Sequence, residues 1–305
     1  VSDAAPPRSA TAAVLVPFGI VTLIWGSTWI VIRDQLGVVP ASWSVTYRFV
    51  IAGVTMLAWA AMRGDRFALD RRGWLFAAGL GVAQFCLNFN FVYRAELHIT
   101  SGLVALMYAL LIVPNAVLAR IFLGQRMGRQ LLVGSGIALC GVALLFLHEA
   151  RVHPESGGEV LLGLGIALAG VFAASAANVM QATPTARAYP MVPVLGIAML
   201  IGATIDATYA GATVGAPVFD WRWGYVAGLF YLGIVASAVA FTLYFGLIRV
   251  IGPAKAAYNG VIVPVIAMLL STLFEGYRWS LLAGAGAALA LVGLVVALKA
   301  RRPNR

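Results

Sequence analysis

The sequence predicts an all-α membrane protein: ten transmembrane helices in two inverted five-helix repeats. Three observations carry the prediction. The 305 residues are 62% hydrophobic and only 10% charged, with mean hydropathy +0.93. A soluble domain has about 25% charged residues, so this chain has too little charge to cover a water-exposed surface. Apolar runs long enough to cross a bilayer, which takes about 20 residues, recur along the whole chain. Finally, the second half repeats the first at a fixed offset.

The apolar runs place spans near 13–33, 41–62, 74–94, 99–121, 130–148, 159–181, 190–211, 224–248, 253–274 and 279–299. The stretch before them, VSDAAPPRSATA, is polar and proline-containing and does not read as a signal peptide. Connections are short, so residues 1–305 are expected to form a single transmembrane domain. The net charge of +10 would suggest nucleic acid for a soluble protein. In a membrane protein it suggests basic cytoplasmic loops. With the N-terminus inside, fifteen of the 21 Lys and Arg residues fall in inner segments and five in outer loops, while Arg48 lies within a span. Both termini are therefore expected in the cytoplasm.

At an offset of 150 residues, Gly102 meets Gly252, Tyr108 meets Tyr258, and Ile112-Val113-Pro114 meets Ile262-Val263-Pro264. Positions 102–144 contain 14 such identities in 43 without a gap, about three times what biased composition alone gives. The copies are expected at 13–148 and 159–299. Five spans per copy force the second to run through the membrane upside down. Inverted repeats are the architecture of many secondary transporters, with the substrate site near the midplane where the copies meet.

The spans carry polar groups in a definite order. In the first, LIWGSTWIVIRD (23–34) puts Trp25, Thr28 and Trp29 on one face at i, i+3, i+4 spacing. Tight packing through Gly26 and Ser27 is the alternative reading of this stretch. In the second span, Arg48 lies about eight residues, or about 12 Å, from the outer end. No carboxylate is expected at its depth, and a structural role is favoured over substrate contact. In the third, GVAQFCLNFNFVYR aligns Gln84, Asn88 and Phe91, with Asn90 well round the helix and Tyr93 and Arg94 at the outer interface. In the fourth, Tyr108 precedes Pro114, whose ring removes a backbone donor and frees a carbonyl one turn earlier. In the sixth, Ser175 and Asn178 stand at the repeat offset from the first span, with Gln181 one turn on. Asp206, Glu96 and Glu275 are expected towards outer ends. The eighth span adds Tyr231, Ser237 and Tyr244. The ninth mirrors the fourth with Tyr258 and Pro264.

Polar groups in a span avoid lipid. The candidate substrate contacts are accordingly Trp25, Thr28, Trp29, Gln84, Asn88, Tyr108, Asn178, Gln181, Tyr244 and Tyr258. Arg48, Pro114 and Pro264 are candidate gating or structural residues. Cys86 and Cys140 both lie in apolar runs and read as small buried hydrophobes. His98, His148 and His153 fall in outer loops without metal-ligand spacing. No phosphate-binding loop, zinc-hydrolase helix or nucleophile with an acid–base pair can be assembled, so neither an enzyme nor a cofactor is expected.

The TrpGly pair at 25–26, YRF at 47–49, and the segments FLGQRMGRQLLVGSGIALCGVALLFL and LFEGYRWSLLAGAGAALALVGLVVAL together resemble the EamA family of the drug/metabolite transporter superfamily. The resemblance covers nearly the whole chain. One departure is Gly124-Gln125, where the family often has Gly-Glu; the second copy keeps Glu275, followed by Gly276. The resemblance implies an exporter of amino acids or related metabolites in a bacterial inner membrane, similar in kind to the YddG-type exporter of aromatic and other neutral amino acids. Alternating access is expected around a central cavity lined by spans one, three, four, six, eight and nine. Without an acid at mid-depth, uncoupled facilitated diffusion is favoured; the alternative is an ion-coupled multidrug or metabolite exporter. The expected partners are a small-molecule substrate and the lipid bilayer, with no nucleic acid and no ATP, and a monomer is compatible with the pattern.

Overall fold

The computed structural model describes residues 8–124, 128–152, 157–251, 256 and 259–298. Gln125, His153 and Tyr258 lie outside them. Helices α1 (Arg8–Gln35) and α2 (Ala41–Met62) are followed by α3, which covers Arg71–Leu80, Gly81–Asn88 and Phe89–Ala95. Helix α4 is split into Ser101–Ala109 and Ile112–Leu123; α5 is Arg129–Val152, α6 Gly157–Gln181 and α7 Met191–Thr213. Helix α8 covers Trp223–Phe230, Tyr231–Val239 and Ala240–Ile251, α9 is Asn259–Phe274 and α10 Leu281–Leu298. Seven of these are long and apolar enough to cross a membrane, and Leu132–Leu145, Ile262–Phe274 and Leu281–Gly293 are shorter apolar helices.

Local chemistry sets the boundaries. The Asp70 carboxylate accepts the Gly73 N–H at 2.8 Å and caps α3. Gly64, Gly124, Gly215 and Gly276 adopt positive φ within two residues of the ends of α2, α4, α7 and α9, the left-handed conformation that glycine enters without steric cost. Pro184 opens a five-residue helix between α6 and α7 that hydropathy does not predict.

The turns gather at two ends of the bundle. At the end holding residues 35–41, Trp43 Nε1 donates to the Gly215 carbonyl at 3.3 Å, Arg222 approaches Asp34 at 3.9 Å, and His148 Nε2 lies 3.2 Å from the Arg278 carbonyl. At the opposite end, Tyr189 donates to Asp70 at 2.5 Å and Arg72 to Thr185 at 2.7 Å. The Tyr189 hydroxyl and the Gly73 N–H hold the Asp70 carboxyl below the usual carboxylate range.

Two features were not foreseen. Gly81–Asn88 in α3 and Tyr231–Val239 in α8 are π-helical. Their first residues stand at the same 150-residue offset as the sequence identities. A π-turn is rare because it leaves backbone groups poorly matched, and side chains compensate here. Trp25 Nε1 donates to the Ala236 carbonyl at 3.2 Å, Ser237 Oγ to that of Leu232 at 2.8 Å, and Asn90 Nδ2 to that of Cys86 at 3.0 Å.

The second feature is the contact between α5 and α10. It is made backbone to backbone: a Cβ on Gly286 would meet the Gly141 carbonyl oxygen at 2.8 Å and the Leu145 nitrogen at 3.0 Å. Without a hydrophobic driving force between helices in lipid, such close approach maximises van der Waals contact. Cys140, expected to be buried, points out of this contact and is exposed, whereas Cys86 is buried.

Candidate functional site

Helices α1, α2, α3, α4, α6, α8 and α9 enclose a cavity of about 150 Å³. From α1 come Trp25, Thr28, Trp29 and Ile32, the face set by the i, i+3, i+4 spacing. The aromatic lining falls in two groups: Trp25 packs on Tyr244 at 4.7 Å and Phe241 at 5.4 Å between ring centroids, and Trp29 on Tyr108 at 5.4 Å. Ser27 leaves this face and bonds the Tyr231 hydroxyl at 2.7 Å, while Gly26 lets Ile266 of α9 reach the α1 backbone. The small residues of the first span therefore pack helices, and its large ones line the cavity.

The π-segment of α3 supplies Gln84 and Asn88, with Phe89 and Val92 beyond it. The Tyr108 hydroxyl donates to Asn88 Oδ1 at 2.6 Å, which fixes the amide and leaves its NH2 group for another partner. Asn178 of α6 also lines the space, as do Asn115 of α4 and Asn259 of α9. Neither Asn115 nor Asn259 was a candidate. Asn115 Oδ1 and both amide atoms of Asn259 are buried without a hydrogen-bond partner among the described residues. Their sequence signal was available: each is a carboxamide in or beside an apolar run near one of the paired prolines.

Three candidates fall elsewhere or outside view. Gln181 is buried but does not line the cavity, because it ends α6 one turn past Asn178. Tyr258 lies outside the described residues. Pro114 is buried away from the cavity, whereas Pro264 lines it. Nor does Pro114 leave the Leu110 carbonyl free: α4 breaks at Leu110–Leu111, and the Val113 N–H closes a tight turn onto that carbonyl at 2.9 Å. Tyr93, expected at the interface, is fully buried and donates to Gln35 Oε1 at 2.9 Å. Arg94 is half-buried and donates to the Tyr209 hydroxyl at 2.6 Å.

Buried charge differs most from expectation. Arg48 is 1% exposed and lines the cavity. Its Nε donates to Ser237 Oγ at 3.0 Å, and its guanidinium carbon sits 4.3 Å from the Phe89 ring centroid. Asp206 stands seven residues before the end of α7 at Thr213, and Arg48 seven residues after the start of α2 at Ala41. The two helix ends meet at the same end of the bundle, so a carboxylate does share the depth of Arg48. Asp206 is held by different partners, the Asn90 amide at 2.6 Å and the Cys86 thiol.

The 35–41 end of the cavity is closed by a polar knot. Glu275 accepts from Ser101 Oγ at 2.8 Å, the Ser101 N–H at 3.2 Å and Ser271 Oγ at 2.5 Å, with Arg33 Nε 3.8 Å away. Arg33 also donates to the Glu96 carbonyl. Burial, reinforced by the nearby Glu275, pushes the Glu96 carboxyl well above the ordinary carboxylate range.

An all-helical bundle of membrane-crossing length, with an amide- and aromatic-lined cavity closed at one end, defines a multi-pass membrane protein built to hold a small molecule. The chain belongs to the EamA-like transporter family, whose model matches residues 14–147 and 161–299. Protein PagO of Salmonella typhimurium (strain LT2) is 23% identical over 86% of this chain and 85% of its own length. The uncharacterized inner membrane transporter YedA of Escherichia coli (strain K12) is 27% identical over 83% of this chain and 80% of its own. A probable terminal-alkyne amino-acid exporter of Streptantibioticus cattleyicolor is 25% identical over 91% of this chain and 90% of its own. A solved crystal structure shares the fold at a TM-score of 0.67 and 21% identity, covering 95% of this chain and 98% of that one.

Proposed function

We propose that this transporter exports neutral and aromatic amino acids, or close relatives of them, across a bacterial inner membrane by alternating access. The observation that carries the reading is the cavity: five carboxamides (Gln84, Asn88, Asn115, Asn178 and Asn259) beside Trp25, Trp29, Tyr108, Phe241 and Tyr244. Carboxamides offer donors and acceptors without charge, which suits a zwitterion, and the rings suit an apolar side chain. The named relative that exports an amino acid supports the same class. The ten helical segments are read as ten spans, and the two matched stretches as inverted copies around the cavity. Loading liposomes with unlabelled L-tryptophan or L-leucine and following uptake of the labelled compound tests the function. Accelerated counterflow is expected, and its absence for a panel of neutral amino acids would overturn the substrate class.

The basic split places the 35–41 end outside. Single cysteines at Ala61 and Gly158, in a Cys86→Ala/Cys140→Ala background, should separate in intact cells: an impermeant thiol reagent is expected to reach position 158 and not 61. The reverse pattern would invert the orientation.

Transport is read as facilitated diffusion, so counterflow should proceed at equal pH on both sides. Asp206 favours a second reading, an ion-coupled exporter, because it is a fully buried carboxylate held by the neutral groups of Asn90 and Cys86. Accumulation above equilibrium under an imposed pH gradient, lost in Asp206→Asn, would establish that reading.

A further inference from the structure

We propose that Arg48 is the anchor for a carboxylate on the transported molecule. The proposal deepens the amino-acid reading and rests on it only for the identity of the molecule that carries the carboxylate.

Arg48 lines the cavity from α2. Its Nε is taken by Ser237, its planar face is covered by Phe89 at 4.3 Å and Phe49 at 5.4 Å, and the Tyr93 hydroxyl is a further hydrogen-bond partner of the guanidinium. Among the described residues Nη1 is buried without a hydrogen-bond partner. No Asp or Glu stands within ion-pair distance among them: the buried Glu96 acts on it only through its charge at longer range, and Asp206, at similar depth, is turned to Asn90. A cation removed from water is costly unless it is paired and its donors are satisfied. Aromatic faces compensate only part of that loss. The arrangement therefore fixes the guanidinium on three sides and leaves one donor edge for a group the protein does not supply.

A carboxylate matches what is missing. It neutralises the charge, and a guanidinium offers its N–H groups in a planar fork that carboxylates fit. The other polar lining groups are neutral amides, hydroxyls and indoles, so this is the one charged group that the cavity presents among the described residues. Held by its carboxylate at this depth, the molecule would lay its apolar part along the aromatic rings.

The test compares acids with their own amides, so that shape is constant and only the anion changes. Binding of L-phenylalanine and L-phenylalaninamide, and of 3-phenylpropionate and 3-phenylpropionamide, is measured on detergent-solubilised wild-type protein, Arg48→Gln, Arg48→Lys and, as a surface control, Arg94→Gln. At least one acid should bind wild type about tenfold more tightly than its amide, about 1.4 kcal/mol. Arg48→Gln should abolish the ratio, Arg48→Lys should keep part of it, and Arg94→Gln should leave it unchanged. If the phenylpropionate pair shows the ratio and phenylalanine does not bind, the anchor stands and the amino-acid reading fails. The anchor is overturned if neither acid is preferred by wild type, or if Arg48→Gln with wild-type elution and melting keeps the preference. Should Arg48→Gln not fold, the wild-type ratio and its partial loss in Arg48→Lys decide.

Discussion

Replacing Gly286 with leucine should prevent α5 and α10 from docking and leave little folded protein. The added Cβ alone would sit 2.8 Å from a backbone oxygen that cannot move without breaking α5. The whole side chain must force the helices apart, at a cost of about 3 kcal/mol or more. That is a large share of a typical domain's stability, and separated helices also lose the close contacts that hold them in lipid. Gly284 is the matched control. It lies two residues away on the same helix, recurs in both copies as Gly134 and Gly284, and has open space around it. Gly284→Leu should elute from size exclusion as wild type does, while Gly286→Leu should aggregate or fail to accumulate. Equal behaviour of the two would show that the α5–α10 contact does not hold the fold together.

Glu275→Gln should leave the bundle intact and open its 35–41 end. The carboxylate collects three donors from Ser101 and Ser271 and faces Arg33. It thereby ties α9 to α4 and α1. Hydrogen bonds to a charged group are worth about 1 kcal/mol more each than neutral ones, so the amide should weaken the closed state by about 2–3 kcal/mol. That is a shift of about 30- to 150-fold in the closed-to-open ratio. Ile32 reports on it, because it lines the cavity just below the knot and is 2% exposed. In a Cys86→Ala/Cys140→Ala background, Ile32→Cys should resist an impermeant thiol reagent applied from that side. Adding Glu275→Gln should make it react quickly. No change in rate would mean that the knot does not close the cavity.

The residues show where sequence reasoning reaches and where it stops. Span positions were legible because each apolar run ends at a group that water or a helix cap must satisfy. Thus α2 runs from Ala41 to Met62 at its expected bounds, and α6 and α7 differ from theirs by one or two residues. The face of α1 was legible from its 3.6-residue period, which does not depend on neighbours. Depth along the axis was not. Gln181 shares a face with Asn178 but lies beyond the cavity floor. Pairings across the fold were also hidden: Asn90 with Asp206 and Tyr93 with Gln35 join residues 116 and 58 positions apart. Arg48 was identified as buried, and its Nη1, without a hydrogen-bond partner among the described residues, became visible only once α3 and α8 were placed around it. The π-segments left no trace in composition, since the same apolar residues fill either winding.

Those segments make the lining sensitive to chain length as well as to side-chain identity. A wider turn absorbs an extra residue without lengthening the rod, so Gly81–Asn88 acts as a phase adjuster between the two straight parts of α3. Removing one residue there, such as Ala83, would let the segment relax to the ordinary winding. Because the wider turn holds the extra residue, the straight parts on either side would keep their facing, with Phe89 and Val92 towards the cavity and Asn90 towards Asp206. The change would fall on the segment itself, which supplies Gln84 and Asn88. Homologues that differ by one residue in this short stretch are thus expected to present those two amides differently to their substrates, however similar their motifs. Length at this point is itself a specificity determinant.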